Sequence, residues 1–156
     1  MDELRELYQE VILDHGKHPR NFRHPSNANR EAKGHNPMCG DTVTVYLSLN
    51  EKDVIQDAAF QGRGCAISMA SASMMTEILK GKTVAEAKKL FDGFQAMCTK
   101  DGVDISDDPS VEADDAEKLQ VLSGVREFPV RVKCATLAWH TMNNAVAGAA
   151  EMAKTE

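Results

Sequence analysis

Residues 42–49 read Thr-Val-Thr-Val-Tyr-Leu-Ser-Leu, and this alternation of polar and apolar side chains decides the fold. Successive side chains of a β-strand point to opposite faces, so the apolar set would line one buried face. That set comprises Val43, Val45, Leu47 and Leu49. Residues 50–53 supply a turn, and residues 54–61 read as a returning strand. The stretch therefore predicts an antiparallel hairpin.

The rest of the chain is predicted to be mainly helical. Residues 67–80 are rich in small side chains and end at Gly81, which suits a helix terminus. Thr83 and Glu86 form a capping box at the start of another helix, which reaches about Met97. Further helices are expected at about 2–15, 113–122 and 135–154. This order predicts an α+β domain with helices packed on one face of a small antiparallel sheet.

Length and composition indicate one globular domain. The 156 residues are 42% hydrophobic and 27% charged, which is typical of a folded chain with its own core. No apolar stretch approaches the roughly 20 residues that cross a bilayer, so no membrane association is expected. The N-terminus is acidic and lacks the basic start and apolar run of a signal peptide. We therefore expect a cytoplasmic protein.

The charge distribution argues against nucleic acid as a partner. The formal net charge is −6, and no basic stripe is visible. Residues 101–117 hold eight Asp or Glu and no Lys or Arg, a charge of −8 that leaves +2 for the remainder. We interpret this acidic stretch as a solvated, mobile insertion in a single domain, with the insertion placed at about 99–115. The alternative interpretation is an electrostatic docking arm.

Four cysteines carry the possible chemistry: Cys39, Cys65, Cys98 and Cys134. Structural disulfides are not expected in the cytoplasm. No Cys-x-x-Cys pair is present, which disfavours a zinc ribbon and a thioredoxin-like site. Metal binding, catalysis and simple burial therefore remain open for each thiol.

Three of these cysteines lie where an element is predicted to begin. Cys39 precedes the first strand, and Asp41 would point to the same side if the segment were extended. Cys65 and Cys134 are each predicted to open a helix, whose positive end favours a thiolate. Three thiolates and one carboxylate would suit zinc, and thiolates also suit an iron–sulfur cluster. Spacing alone does not prove that the three converge.

Three motifs together resemble one known family. They are Asn-Pro-x-Cys-Gly-Asp at 36–41, Gly-x-Gly-Cys-x-Ile-Ser-x-Ala-Ser-x-Ser-Met-Met at 62–75, and Arg-x-Lys-Cys-x-Thr-Leu-Ala-Trp at 131–139. In combination they resemble the SufU branch of the IscU/NifU N-terminal-like iron–sulfur cluster assembly family. The similarity runs from the first helix to the last.

The resemblance implies a fold, a site and a partner. The implied fold is a three-stranded antiparallel sheet with packed helices. The implied metal site consists of Cys39, Asp41, Cys65 and Cys134, with Zn²⁺ as the expected ion and iron or an iron–sulfur cluster as an alternative. The implied partner is a SufS-type cysteine desulfurase, with Cys39 as the sulfur acceptor. The resemblance also implies further partners, which would accept the sulfur or a cluster downstream of this protein.

Two details favour the SufU branch over the scaffold-type IscU proteins, which have a His before the last cysteine and lack a long segment between the second and third cysteines. This chain has Lys133 at that position and carries residues 95–115. The resemblance therefore implies a zinc-dependent sulfurtransferase, with a non-catalytic cluster scaffold as the alternative. Arg131 and Lys133 are expected as supporting cations. Cys98 lies outside the motifs and is expected to be a free, buried or semi-exposed thiol.

Overall fold

The computed structural model describes residues 2–100, 102–148 and 153–154 of the chain. Within them, the helices are α1 (Asp2–Lys17), α2 (Ala66–Leu79), α3 (Val84–Thr99), α4 (Ala113–Gln120) and α5 (Pro129–Ala147). The strands are β1 (Arg30–Asn36), β2 (Asp41–Leu49), β3 (Ile55–Arg63) and β4 (Ala153–Lys154). In this part of the chain no helix has the length and apolar character that crossing a membrane requires.

The sheet is built on the predicted hairpin. Strand β2 pairs antiparallel with β3 on one side and with β1 on the other, which confirms the three-stranded antiparallel sheet. The two-residue strand β4 adds a short parallel pairing at the outer edge of β1. Between β2 and β3, the Asn50 side chain accepts the N–H groups of Lys52 and Val54, and Asp53 adopts a positive φ of 58°. The turn chemistry thus sets the register of the hairpin.

Helices α2 and α5 cover one face of this sheet, as predicted. On that face Val43, Val45 and Leu47 are no more than 5% exposed. Strand β1 presents Gly34 to α5, and a Cβ at this position would collide with the Thr141 hydroxyl. The missing side chain lets α5 lie directly against β1, so the first turns of α5 reach the turn between β1 and β2.

Helix α3 packs behind α5 and contains Cys98. The predicted capping box is present, because Thr83 and Glu86 each accept the backbone N–H of the other. Phe94 stacks on Trp139 of α5 with ring centroids 4.9 Å apart. Cys98 is fully buried, and burial raises the pKa of its thiol to about 12. It is therefore a neutral, free core thiol, in agreement with the expectation of a free thiol that is buried or semi-exposed.

The last helix lies in a different place from the predicted 135–154. It begins at Pro129, because proline is well accommodated where the first N–H groups have no helical partner. It ends before Gly148, which adopts a φ of 70°. Residues 149–152 lie outside the described residues. Cys134 is consequently in the second turn of α5, and the prediction that this cysteine opens a helix was wrong.

The acidic segment folds against the core, whereas its charge predicts a solvated insertion. Asp101 lies outside the described residues, but a 3-10 turn at Ile105–Asp107 and helix α4 follow. Ile105 and Leu119 are fully buried in the core. The Asp115 carboxylate lies 3.0 Å from Lys82 Nζ. Buried apolar side chains therefore anchor this segment to the core, and α4 lies within the helix predicted at about 113–122.

Polar contacts join the C-terminal end of α1 to α2. His15 Nδ1 lies 2.8 Å from Ser73 Oγ, which also accepts the backbone N–H of Arg20 at 2.8 Å. His15 Nε2 lies 3.9 Å from the Glu77 carboxylate. Burial lowers the pKa of His15 most, the Arg20 charge lowers it further, and the carboxylates of Glu77 and Asp14 oppose both. The folded protein therefore favours a neutral His15.

This lowered pKa predicts that acid destabilises the fold. Below the usual His pKa of 6.5, the unfolded chain binds a proton at His15 that the folded protein resists. Burial lowers the pKa of His140 as well, so it contributes with the same sign. As the pH falls from about 7.5 to about 5.5, we therefore expect the free energy of unfolding to decrease. Urea titrations of wild type and His15→Gln would measure it, and the variant should lose less stability.

The matched control is His24→Gln. The His24 ring is exposed and stacks on Tyr46 with centroids 4.2 Å apart, away from α1. This variant should follow the wild-type pH dependence. Identical losses in wild type and His15→Gln would contradict the prediction.

Candidate metal centre

Three segments meet at one end of the sheet: the turn between β1 and β2, the junction of β3 with α2, and the first two turns of α5. There the side chains of Cys39, Asp41 and Cys134 form a cluster whose ligand atoms all lie within 4.8 Å of one another. Among the thiols, imidazoles and carboxylates of the described residues, this is the group of three whose ligand atoms are close enough to share one ion. The site is thus assembled from segments far apart in the sequence.

Cys39 is the exposed member of the cluster. Residues 37–40 form a turn that links β1 to β2, and the Asn36 carbonyl accepts the Gly40 N–H at 2.8 Å. Gly40 adopts a φ of 72°, which glycine tolerates without strain. The segment from Cys39 to Asp41 is thus not extended, and the turn itself brings the two side chains together.

Asp41 is the fully buried carboxylate of the cluster. Its Oδ1 accepts the backbone N–H of Cys65 at 3.0 Å, and its Oδ2 accepts the side-chain amide of Asn36 at 3.2 Å. A Cβ at Gly64 would collide with this carboxylate and lie 2.9 Å from its Cγ. Both donors are neutral, so they orient the carboxylate while leaving its charge available to a cation.

Cys65 caps α2, as the sequence predicted. Its sulfur accepts the Ser68 N–H at 3.5 Å, which holds the thiol at the positive end of a 14-residue helix. The Cys65 sulfur is not within 4.8 Å of all three members of the cluster. Its backbone is nevertheless bonded to Asp41, so this thiol lies at the rim of the same site.

Cys134 is fully buried and is the point where the other groups meet. Its sulfur lies 3.5 Å from Cys39 Sγ and 3.6 Å from the Asn36 amide nitrogen. Burial raises the pKa of Cys134 most, and the neighbouring Asp41, Cys39 and Cys65 raise it further. A bound cation would reverse this preference, because coordination deprotonates a thiol.

The two expected supporting cations differ in their relation to the cluster. Arg131 is exposed, and its interaction with the Cys134 sulfur, followed by the Cys65 and Cys39 thiols, raises the pKa of its guanidinium. Lys133 is half-buried, and in the described part of the chain it has no hydrogen bond or ion pair with these groups. Arg131 is therefore the cation that faces the thiols.

An open cleft of about 370 Å³ adjoins Cys39. Residues 127–131 at the start of α5 form its other walls. Apolar side chains beside it are exposed: Met38 is 63% exposed, Phe128 59% and Val130 46%. The thiol therefore lies within an apolar surface, an environment that suits contact with another protein.

Sequence reasoning missed two residues of the site. Asn36 opens the motif that contains Cys39, but only the register of β1 with β2 places it opposite Asp41. Gly64 precedes Cys65 within the second motif, and no role of its own was predicted for it from the sequence. In a single sequence, the glycine itself is the only indication that Gly64 packs closely on Asp41. The apolar residues around the cleft were also missed, because they follow no periodic pattern.

Comparison with known proteins gives consistent matches. Residues 7–99 match the family described as the NifU-like N terminal domain. A Bacillus subtilis protein named zinc-dependent sulfurtransferase SufU is 42% identical over 148 residues, which cover 92% of each chain. The Streptococcus pyogenes serotype M1 protein named iron–sulfur cluster assembly scaffold protein IscU is 38% identical over 147 residues, covering 94% of this chain and 86% of its own.

A solved structure from Fervidobacterium islandicum matches the fold with a TM-score of 0.76 and 32% identity. The match covers 90% of this chain and 97% of the other. That protein was described as a proposed scaffold for iron–sulfur cluster assembly in the SUF system.

Proposed function

Because this chain belongs to the family of NifU-like N-terminal domains, we propose that it is a zinc-dependent sulfurtransferase of iron–sulfur cluster biogenesis. Cys39 accepts persulfide sulfur from a SufS-type cysteine desulfurase and passes it to a downstream acceptor. The observation that carries the proposal is an exposed thiol, Cys39, in a cluster with buried Asp41 and Cys134. The name of the Bacillus subtilis relative supports the same activity.

The donor set fits zinc. Two thiolates at about 2.3 Å from a tetrahedral ion lie about 3.8 Å apart, and the Cys39 and Cys134 sulfurs are separated by 3.5 Å. Asp41 would supply a buried carboxylate oxygen, and Cys65, whose backbone is bonded to Asp41, would supply the fourth donor from the rim of the site. Bound zinc would keep the thiols ionised and hold the three segments together.

The transfer itself is a thiol–disulfide type exchange. The Cys39 thiolate attacks the outer sulfur of the desulfurase persulfide, R–S–SH. A bond forms between Cys39 Sγ and that outer sulfur, the S–S bond of the persulfide breaks, and its electron pair leaves on the inner sulfur, so that the desulfurase cysteine becomes a thiolate. Cys39 now carries –S–SH. A thiolate of the acceptor repeats the exchange and returns Cys39 to its thiolate, so the net reaction needs no oxidant.

The surroundings of Cys39 suit this exchange. The turn at 37–40 exposes the thiol, whereas Cys134 is fully buried. Exposed Phe128 and Val130 beside the cleft provide apolar contact area for the desulfurase. Arg131 faces the thiols and is placed to stabilise sulfur that carries negative charge. The exchange also requires reduced thiols, which suits a cytoplasmic location.

The alternative function is a scaffold on which an iron–sulfur cluster is assembled. The name of the Streptococcus pyogenes relative favours this function. Lys133 stands before Cys134, however, and an ammonium cannot replace an imidazole as a cluster ligand. We therefore favour sulfur transfer.

Alanine production by a SufS-type desulfurase tests the proposal. The assay contains cysteine, a thiol reductant as final sulfur acceptor, and a small amount of zinc-loaded protein. We expect many turnovers per molecule of this protein. Chelator-treated protein should lose the stimulation and melt at a lower temperature, because zinc links distant segments.

Absence of stimulation by the zinc-loaded protein would contradict sulfur transfer. Anaerobic loading with ferrous iron and sulfide would then measure cluster assembly. A stable cluster obtained in that experiment would support the scaffold function.

A further inference from the structure

The side chain of Asn36 contacts three parts of the candidate metal centre. Asn36 is fully buried at the end of β1, directly opposite Asp41 of β2. Its amide nitrogen lies 3.2 Å from Asp41 Oδ2 and 3.6 Å from Cys134 Sγ. Its Oδ1 accepts the backbone N–H of Met38 at 3.2 Å. One side chain therefore ties together a carboxylate, a thiol and the turn that carries Cys39.

We infer that Asn36 is a positioning residue that fixes Asp41 and Cys134 and leaves Cys39 as the donor that exchanges. The inference rests on the metal centre of the proposed function and adds a residue that controls which ligand leaves. Asn36 acts through its hydrogen bonds to the donors.

Asparagine is suited to this role by its number of donors and acceptors. Its amide has two N–H donors and one carbonyl acceptor, and the contacts to Asp41, Cys134 and Met38 use all of them. An alanine at this position would remove these bonds and leave buried polar partners unsatisfied. Removing a group that holds a metal ligand by a hydrogen bond commonly lowers the metal affinity by about 10–100-fold.

The other donors differ in how firmly they are held. Asp41 is fixed from both sides, by Asn36 and by the Cys65 N–H. Cys134 is buried in a helix and contacted by the Asn36 amide. Cys39 is exposed on a glycine-containing turn, and its hydrogen-bond contact is with the Cys134 thiol. This asymmetry makes Cys39 the ligand that can leave while the others stay.

The test uses Asn36→Ala, with Co²⁺ and Zn²⁺ as probes. We expect the affinity for both ions to fall by about 10–100-fold and the visible absorption of the cobalt-loaded protein to change, because the donor geometry changes. Iodoacetamide labelling of zinc-loaded protein, followed by peptide mapping, gives a second readout. In wild type Cys39 should react well before Cys134. In the variant Cys134 labelling should accelerate about tenfold or more, with Cys39 little changed.

Controls separate positioning from general destabilisation. Buried Cys98 reports unfolding, because its labelling rises only if the core opens. Thr76→Val is the matched variant, since it removes a buried hydroxyl and its bond to Asn21 far from the thiols. It should leave the cobalt spectrum and the labelling order unchanged. Asn36→Ser, which is too short to reach both partners, repeats the test if Asn36→Ala does not fold.

Each outcome decides between the two claims. If wild type binds zinc and the Asn36 variants keep its cobalt spectrum and labelling order, the positioning role of Asn36 is overturned, while sulfur transfer still stands or falls by the alanine assay. If wild type binds zinc and the variants change as expected but no sulfur is transferred, the positioning role stands without the proposed function. Failure of wild type to bind either ion would overturn both.

Discussion

Replacing Cys39 by serine is expected to abolish sulfur transfer while leaving the fold intact. The Cys39 thiol is the exposed nucleophile of the cluster, and a hydroxyl does not accept sulfur from a persulfide. Stimulation of the desulfurase should fall by about two orders of magnitude or more. Because Cys39 is on the surface, the substitution opens no cavity in the core. Asp41, Cys65 and Cys134 remain as donors, so zinc should still bind, with lower affinity.

Alanine production measures the loss, and a zinc competition assay measures the remaining affinity. Cys98→Ala is the matched control, because Cys98 is a buried thiol that burial keeps neutral. This control should retain full stimulation despite a modest loss of stability. Normal stimulation by Cys39→Ser would rule out Cys39 as the acceptor.

The second large effect is expected at Gly64, where a single added methyl group should disrupt the metal centre. A Cβ at Gly64 would collide with the Asp41 carboxylate and lie 2.9 Å from its Cγ. Asp41 is fully buried at the start of β2, so its carboxylate has little room to move. Gly64→Ala should therefore break the bond between Asp41 and the Cys65 N–H. We expect zinc affinity to fall by about tenfold or more, with sulfur transfer reduced in parallel.

Gly124→Ala is the matched control, because a Cβ at Gly124 would have no heavy atom within 4 Å. It should bind zinc like wild type. Melting curves of both variants, recorded with and without zinc, distinguish loss of the site from loss of the fold. A zinc affinity within about twofold of wild type in Gly64→Ala would contradict the packing argument.

Much of the fold could be predicted because its signals are local. The alternation in residues 42–49 identified β2, and the capping box at Thr83 and Glu86 identified the start of α3. The start of α5 was missed because Pro129 was not considered as a first helical residue. The burial of Ile105 was not predicted, because this apolar residue stands among the acids of 101–117.

The candidate site could be predicted only as a set of residue types. The motifs indicated Cys39, Asp41, Cys65 and Cys134, and the structure brings three of them within 4.8 Å of one another. What the motifs lacked was the register that sets Asn36 opposite Asp41, since pairing depends on the whole sheet. The rim position of the Cys65 sulfur is likewise a product of how α2 packs.

The distance along the chain between the clustered thiols has a consequence for biosynthesis. Cys39 and Cys134 are 95 residues apart, although their sulfurs are separated by only 3.5 Å. A ribosome releases the β-hairpin and α2 well before α5, so a nascent chain presents Cys39, Asp41 and Cys65 without their buried partner. Helix α5 completes the cluster only after residues 129–147 have emerged. Capture of the metal proposed here is therefore a late event of maturation, coupled to the docking of the last helix on the sheet.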